Sequence, residues 1–265
     1  MVNSLIPPNK LKTALKNGKT VFGTMLVEIR QPSVMQLLAN SGFDFVLIDN
    51  EHGPFTVETI ADLSRAARQL GVTPIVRVPE ITYAHITQAL DGGAQGIMIP
   101  RVTHPQQVMD AVSIMKYPPM GRRGSVVARG HTEFKSGKVD EALSTANDES
   151  MLVVQIETVE ALTHMDDILA VKGVDAALVG PTDLSVALGV AGQMESPVLN
   201  SAIEKTLEAC RKHAVIPAIH MNDLDAAIHW TKRGMKVVSF NSEAGLMMRS
   251  GQQAVAMMKQ AAPGN

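Results

Sequence analysis

The sequence predicts an α/β protein, a closed (β/α)8 TIM barrel, and three observations predict it. Eight short apolar runs rich in β-branched residues recur along the 265 residues. The runs are continuously apolar rather than alternating, which is the pattern of strands covered on both faces. Longer segments with a helical period, most with capping residues at their ends, separate them. Strand–helix alternation repeated eight times points to a parallel sheet. At this length a closed barrel accommodates it, with an open doubly wound sheet as the alternative.

The strand runs are "VFGTMLV" from Val21, "FDFVLID" from Phe43, "TPIVRV" from Thr73 and "GIMIPR" from Gly96. They continue with "MLVVQIE" from Met151, "DAALVG" from Asp175, "VIPAIH" from Val215 and "KVVSF" from Lys236. Among the helical segments, "QPSVMQLLANSG" has Pro near its start and Gly at its end. "TVETIADLSRAARQLG" opens on Thr56, has acids early and arginines late, and closes on Gly71, in accord with the helix dipole. "THPQQVMDAVSIMK", "TVEALTHMDDILAVKG" and "NDLDAAIHWTKRG" follow the same logic. The stretch 117–150 is rich in Gly, Arg and Ser and reads as a long connection after strand four, arching over one end of the barrel. The whole chain, 1–265, reads as one barrel domain.

Composition narrows the function classes. Hydrophobic residues make up 45% and charged residues 19%, enough for a large core. The net charge of −2 and 3% aromatics leave neither the basic surplus nor the stacking platforms that nucleic acid requires. The single cysteine, Cys210, allows no intrachain disulfide and fits a reducing compartment. No run is long and apolar enough to span a membrane, and the N-terminal residues lack a secretory apolar core. A cytoplasmic protein is the expectation.

In such a barrel, functional groups collect where the strands end. The predicted strand ends supply Asp49, Glu51 and His52, then Arg77, Arg101, Gln155 and Glu157, Asp183, His220, and Ser239 with Asn241. Glu157 and Asp183 are the best metal pair, suited to Mg²⁺ or Mn²⁺. Helix capping is their bland reading. Gln155 shares a strand face with Glu157 and either contacts substrate or belongs to a polar layer inside the barrel. Arg77 in "PIVRVPE" either pairs with Asp49 or Glu51, or faces negative charge developing on a substrate. His52, before the Gly53-Pro54 turn, is the candidate general base. "GTM" around Gly23 and "GRRG" at 121–124 resemble anion-cradling loops only loosely; exposed glycines and a solvated arginine pair explain them equally well.

Taken together, "DNEHGPFT", "VRVPE", "LDGGAQGIMIPRV", "YPPMGRRG", "VVQIET" and "ALVGPTDLSVALG" resemble the HpcH/HpaI family of metal-dependent pyruvate aldolases. The resemblance runs co-linearly from about Gly23 to Gln253. It implies a (β/α)8 barrel and a homo-oligomer, trimeric or hexameric, with the C-terminal helix in subunit contacts. It further implies that His52 is the base and that Arg77 stabilises an enolate. Asp91 would pair with the catalytic histidine from a neighbouring subunit. Glu157 and Asp183 would hold a divalent cation, Mg²⁺ or Mn²⁺ with Co²⁺ or Zn²⁺ as alternatives. Gln155, with Pro181, Thr182 and Asp183, would contact the keto acid. Arg101 stands where many members have an uncharged residue, and Gly130–Glu133 departs from the usual loop. Both departures are expected where the aldehyde half of the substrate would sit.

The expected reaction is reversible cleavage of a 4-hydroxy-2-oxo acid to pyruvate and an aldehyde, through a metal-bound pyruvate enolate. The other electron sink, a lysine imine, needs a lysine at a strand end. Lys172 ends a helical pattern and Lys236 begins a strand, so neither qualifies. The rival readings are a CoA-ester lyase and a catalytically silent binding barrel.

Overall fold

The computed structural model describes residues 5–262. All eight predicted strands are present: β1 (Val21–Leu26), β2 (Phe45–Asp49), β3 (Thr73–Arg77), β4 (Gly96–Ile99), β5 (Met151–Ile156), β6 (Ala176–Val179), β7 (Ile216–Met221) and β8 (Val237–Ser242). Every pairing is parallel, and β8 closes on β1 to complete the barrel. The helices before β5 are α1 (Lys10–Lys16), α2 (Val34–Asn40), α3 (Val57–Gln69), α4 (Tyr83–Gly92), α5 (Pro105–Met115) and α6 (Val139–Glu149). After β5 come α7 (Val159–Thr163), α8 (Met165–Leu169), α9 (Pro181–Ala187), α10 (Pro197–His213), α11 (Leu224–Arg233) and α12 (Glu243–Ala261). The segment read as one helix from Thr158 is two, α7 and α8, parted at His164. Among the described residues no helix is long and apolar enough to cross a membrane.

The strands look continuously apolar because their two faces serve two cores. Val46, Ile48, Val76, Ile97, Leu152, Val154 and Ile156 face outward and pack under the helices. Phe45, Leu47, Ile75, Met98, Val153, Leu178, Ala218 and Val237 fill the interior. Gly23 belongs to this packing rather than to an anion loop. A Cβ there would lie 2.5 Å from the Phe45 ring, so glycine makes room for the aromatic. Leu11 of α1 joins the interior cluster, and its N–H donates to Thr73 Oγ1 at 3.3 Å, so α1 covers the barrel's N-terminal end.

Three sequence expectations are corrected here. The stretch 117–150 is not a structureless loop: it holds a 3₁₀ turn at Gly130–Thr132 and the helix α6. It follows α5 rather than β4 directly, so it lies at the N-terminal end, away from the strand termini that collect acids. Asn147 ties it down by accepting from Tyr117 N–H at 2.7 Å and donating to the Tyr117 carbonyl at 3.1 Å. The turn at 130–133 packs against Arg68, whose Nη1 donates to the Gly130 carbonyl at 2.9 Å. Within the chain it is therefore remote from the rim where the aldehyde was expected. The "GRRG" segment is not a solvated arginine pair either. Arg122 is exposed, while Arg123 is buried and paired with Asp91.

At the opposite, C-terminal rim, Glu243 fixes the loop after β1. Its buried carboxylate accepts N–H groups from Val27 at 2.9 Å, Glu28 at 2.7 Å and Ile29 at 2.9 Å. Replacing it leaves three donors unpaired. Glu243→Ala is expected to lower stability by about 1–3 kcal/mol, read from urea midpoints. Glu243→Gln, which keeps one acceptor oxygen, should lose less.

Candidate active site

Strand register makes the first contact. β2 and β3 place Asp49 opposite Arg77, each the last residue of its strand. Arg77 Nε donates to Asp49 Oδ1 at 2.9 Å and Nη2 donates to Oδ2 at 2.7 Å, a bidentate fork. Nη1 lies 3.2 Å from Glu51 Oε2. The structural pairing expected for Arg77 thus exists with both acids. Burial works against its charge, but Asp49, Glu51 and Glu157 outweigh burial and hold the guanidinium above its ordinary pKa.

Asp49 also shapes the following turn. Its Oδ1 accepts the N–H groups of Glu51 at 3.0 Å and His52 at 3.3 Å. A Cβ at position 53 would come within 2.2 Å of the Asp49 carbonyl oxygen, so the turn admits only Gly53. The turn buries the Glu51 side chain to 6% exposure and leaves His52 71% exposed, with Nε2 4.0 Å from Glu51 Oε2. The other oxygen of Glu51 lies 3.2 Å from Arg101 Nε. One carboxylate therefore touches the candidate base and both rim arginines.

Glu157 forms the other half. Its Oε1 accepts Arg101 N–H at 2.8 Å, and its Oε2 accepts from Gln155 Nε2. Gln155 Oε1 is buried with no hydrogen-bond partner among the described residues. Gly180 allows this approach: a Cβ there would lie 2.7 Å from Glu157 Oε2 and 2.8 Å from Gln155 Nε2. The capping reading does not hold for Glu157, because Thr158 caps α7 through its own side chain. Asp183 is not a cap either; it stands in the first turn of α9, which Pro181 opens. Pro181 is buried, while Thr182 and Asp183 are exposed. Burial pushes the Glu157 carboxyl up to about 7, opposed by the Arg101 N–H and reinforced by the charges of Asp183 and Glu51.

Charge balance tests whether a cation fits. Asp49 and Glu51 are matched by Arg77 and Arg101. Glu157 and Asp183 form no salt bridge with a cationic side chain among the described residues, and only the nearby Arg77 charge favours the Glu157 carboxylate. Those residues contain no group of three or more His, Cys, Asp or Glu arranged for a metal. Two carboxylates with open positions suit a hard dication that keeps waters or takes substrate oxygens, as Mg²⁺ does. The donor set fits.

The remaining residues divide clearly. His220, read as a possible contact, reaches the rim from β7, with Nδ1 2.9 Å from Ser239 Oγ of β8. Burial pushes it down to about 4, so its ring is neutral at pH 7. Asp91 is not brought to His52 within the chain. It sits at the far end of α4, paired with Arg123, its side chain 30% exposed. The shared role of Glu51 and the need for Gly180 were not legible in the sequence. Adjacency in "DNEHGP" was the only signal for the first.

The raised Glu157 pKa has a measurable consequence. The folded state binds its proton more tightly than the unfolded state, so between pH 4.5 and about 7 stability falls as pH rises. In chelator-treated protein, urea midpoints should decline over that window, by on the order of 2 kcal/mol for this group. Glu157→Gln should flatten the decline; identical pH profiles for the two proteins would contradict the assignment.

Comparisons with known proteins identify the family. Residues 24–249 match the family model described as HpcH/HpaI aldolase/citrate lyase. A hydroxypyruvate/pyruvate aldolase from Roseobacter denitrificans is 35% identical over 96% of this chain and 98% of its own. A 4-hydroxy-2-oxo-heptane-1,7-dioate aldolase from Escherichia coli is 33% identical over 94% of each. The crystal structure of an HpcH/HpaI aldolase from Desulfitobacterium hafniense superimposes with a TM-score of 0.92 at 35% identity, covering 96% of this chain and 98% of that one. The barrel, the acid-rich rim and these matches together make the chain an enzyme of the HpcH/HpaI aldolase/citrate lyase family.

Proposed function

We propose that the enzyme cleaves 4-hydroxy-2-oxo acids reversibly to pyruvate and an aldehyde, with a divalent cation, Mg²⁺ or Mn²⁺, held by Glu157 and Asp183. The observation that carries this reading is that Glu157 and Asp183 stand at the rim without a salt bridge, with the buried, charged Arg77 close to Glu157. Relatives named as aldolases support the reaction type. When bound, the cation supplies Lewis acidity for the keto acid's oxygens.

The chain's own residues account for the rest. His52, exposed at the rim beside Glu51, takes the proton from the 4-hydroxyl. The C3–C4 bond then breaks; its electrons pass into the enolate of pyruvate while the 4-oxygen becomes the aldehyde carbonyl. Arg77, fixed by Asp49 and Glu51, offers its remaining N–H donors to the enolate oxygen. A proton returned to C3 completes pyruvate. The unpaired Oε1 of Gln155 and the backbone at Pro181 and Thr182 line the keto-acid end. Asp91 of a neighbouring subunit pairs with His52 and raises its basicity. Self-association has its own support: every residue from Met247 to Ala262 is exposed, including Met247, Met248, Met257 and Met258 of α12. Burying such a face against further copies would make a trimer or hexamer.

Exchange of the pyruvate methyl protons in deuterated water tests the reaction directly. Exchange should require Mn²⁺ or Mg²⁺ and vanish with EDTA. A need for a CoA thioester would turn the assignment to a CoA-ester lyase, and no exchange under any condition would leave a silent barrel. Arg77→Ala should lower kcat about 10²–10³-fold while changing pyruvate binding far less. An unchanged turnover number would remove Arg77 from the mechanism. Sedimentation should give a single species larger than the monomer; truncation before Met247 should shift it to smaller species.

A further inference from the structure

Away from the rim, the N-terminal end of the barrel buries a second group of cations. The side chains of Arg68, on α3, and Arg123 are only 5% and 3% exposed, and His131 is buried with them. Arg68 Nη1 donates to the carbonyls of Gly130 at 2.9 Å and Gly93 at 3.4 Å, and Nη2 donates to that of His131 at 3.4 Å. Arg123 Nη2 donates to Asp91, and its guanidinium lies 4.6 Å from the centre of the Tyr117 ring. Three nitrogens are left over. Arg68 Nε, Arg123 Nε and His131 Nδ1 are buried with no hydrogen-bond partner among the described residues. Buried polar atoms of a native protein are paired, with the protein itself or with a bound species.

The three side chains line one cavity of about 30 Å³, with Leu90, Ala94 and Glu149 among its other walls. That is room for a monatomic ion or for one to two waters, and too little for a carboxylate or phosphate group. The charge on the walls favours the ion. Arg68 and Arg123 bring two positive charges and Glu149 one negative, its carboxylate already accepting Asn9 N–H. The acids that meet the arginines from outside, Asp91 and Glu133, are 30% and 41% exposed, so solvent screens them. Burial lowers Arg68 below its ordinary pKa in spite of Glu133, so its charge is incompletely matched. Burial, with Arg123 and Arg68, also holds His131 below its ordinary pKa against the pull of Asp91, which marks a positive potential at the ring. Water satisfies the donors alone; an anion satisfies the donors and the charge. We propose that Arg68, Arg123 and His131 form a buried binding site for one small monovalent anion, chloride or a halide of similar size, which ties α3 and α4 to the 117–150 stretch. Two donors are the arginine Nε–H groups, and the third is the His131 tautomer protonated at Nδ1. The site is independent of the reaction at the C-terminal rim.

Bromide, which scatters X-rays anomalously, is the direct probe. Crystals of the full-length protein grown in millimolar bromide should show one anomalous peak in the cavity, within contact of Arg68 Nε, Arg123 Nε and His131 Nδ1. In solution, thermal unfolding is followed as chloride replaces gluconate, an anion too large for the cavity, at constant ionic strength. The midpoint should rise saturably, by about 2–4 °C once chloride stands tenfold above its Kd. Ala94→Val keeps all three nitrogens and fills the cavity, and it should abolish both the peak and the chloride-dependent rise. Arg68→Met, which removes one donor and one charge, should do the same; the bromide map and Ala94→Val decide the matter whether or not that variant folds. Electron density for water with no anomalous signal would overturn the proposal. So would a peak found only at molar bromide with no saturable rise in solution, which is binding at crystal concentration only. A chloride-dependent rise of the same size in Ala94→Val would place the effect elsewhere on the protein and overturn it as well.

Discussion

The fork between Arg77 and Asp49 is the contact on which the rim depends. It joins two neighbouring strands at their last residues, so the parallel register of β2 and β3 and the pairing of the charges determine one another. A buried arginine without that partner would be strongly unfavourable. With it, Asp49 is fixed well enough to accept two further backbone N–H groups and to fold the Glu51–Gly53 turn over itself. The turn delivers Glu51 between two guanidinium groups and leaves His52 outside. One ion pair thus sets the places of four charged side chains.

The half of the rim around Glu157 has a different physical logic. Glu157 is buried and near Asp183 and Glu51, which together outweigh the opposing Arg101 N–H and Arg77 charge and raise its affinity for a proton. In a purely structural role this would be a defect. It becomes intelligible under the proposal that the site holds a cation. Gly180 belongs to the same design, since it permits Gln155 and Glu157 to approach each other at all.

The two ends of the barrel divide labour. At the N-terminal end, α1, α6 and the turn at Gly130–Thr132 pack closed, and the polar groups there largely serve one another. The C-terminal rim keeps exposed groups such as His52, Arg101 and Asp183. Asp91 belongs to the first end within a single chain. The pairing with His52 proposed for it would need another subunit, and the exposed methionines of α12 offer a surface for one.

Local pattern in the sequence sufficed for the strands, for most of the helices and for their order, because apolar runs and capping residues act over a few residues. It sufficed also to bring the acids and cations to one rim, since in a parallel barrel every strand ends on the same side. It went astray over 117–150, where a Gly- and Arg-rich composition hid α6 and where the loop's end of the barrel depended on α5 coming first. Which charge meets which was decided only in three dimensions. Glu51 lies twenty-six positions from Arg77 and fifty from Arg101, and nothing local says that one carboxylate serves both. Nor does the chain announce that Arg101 turns into the left-handed region, or that Gly180 lies under Glu157. Closure of the barrel makes those contacts, and closure depends on all eight strands at once.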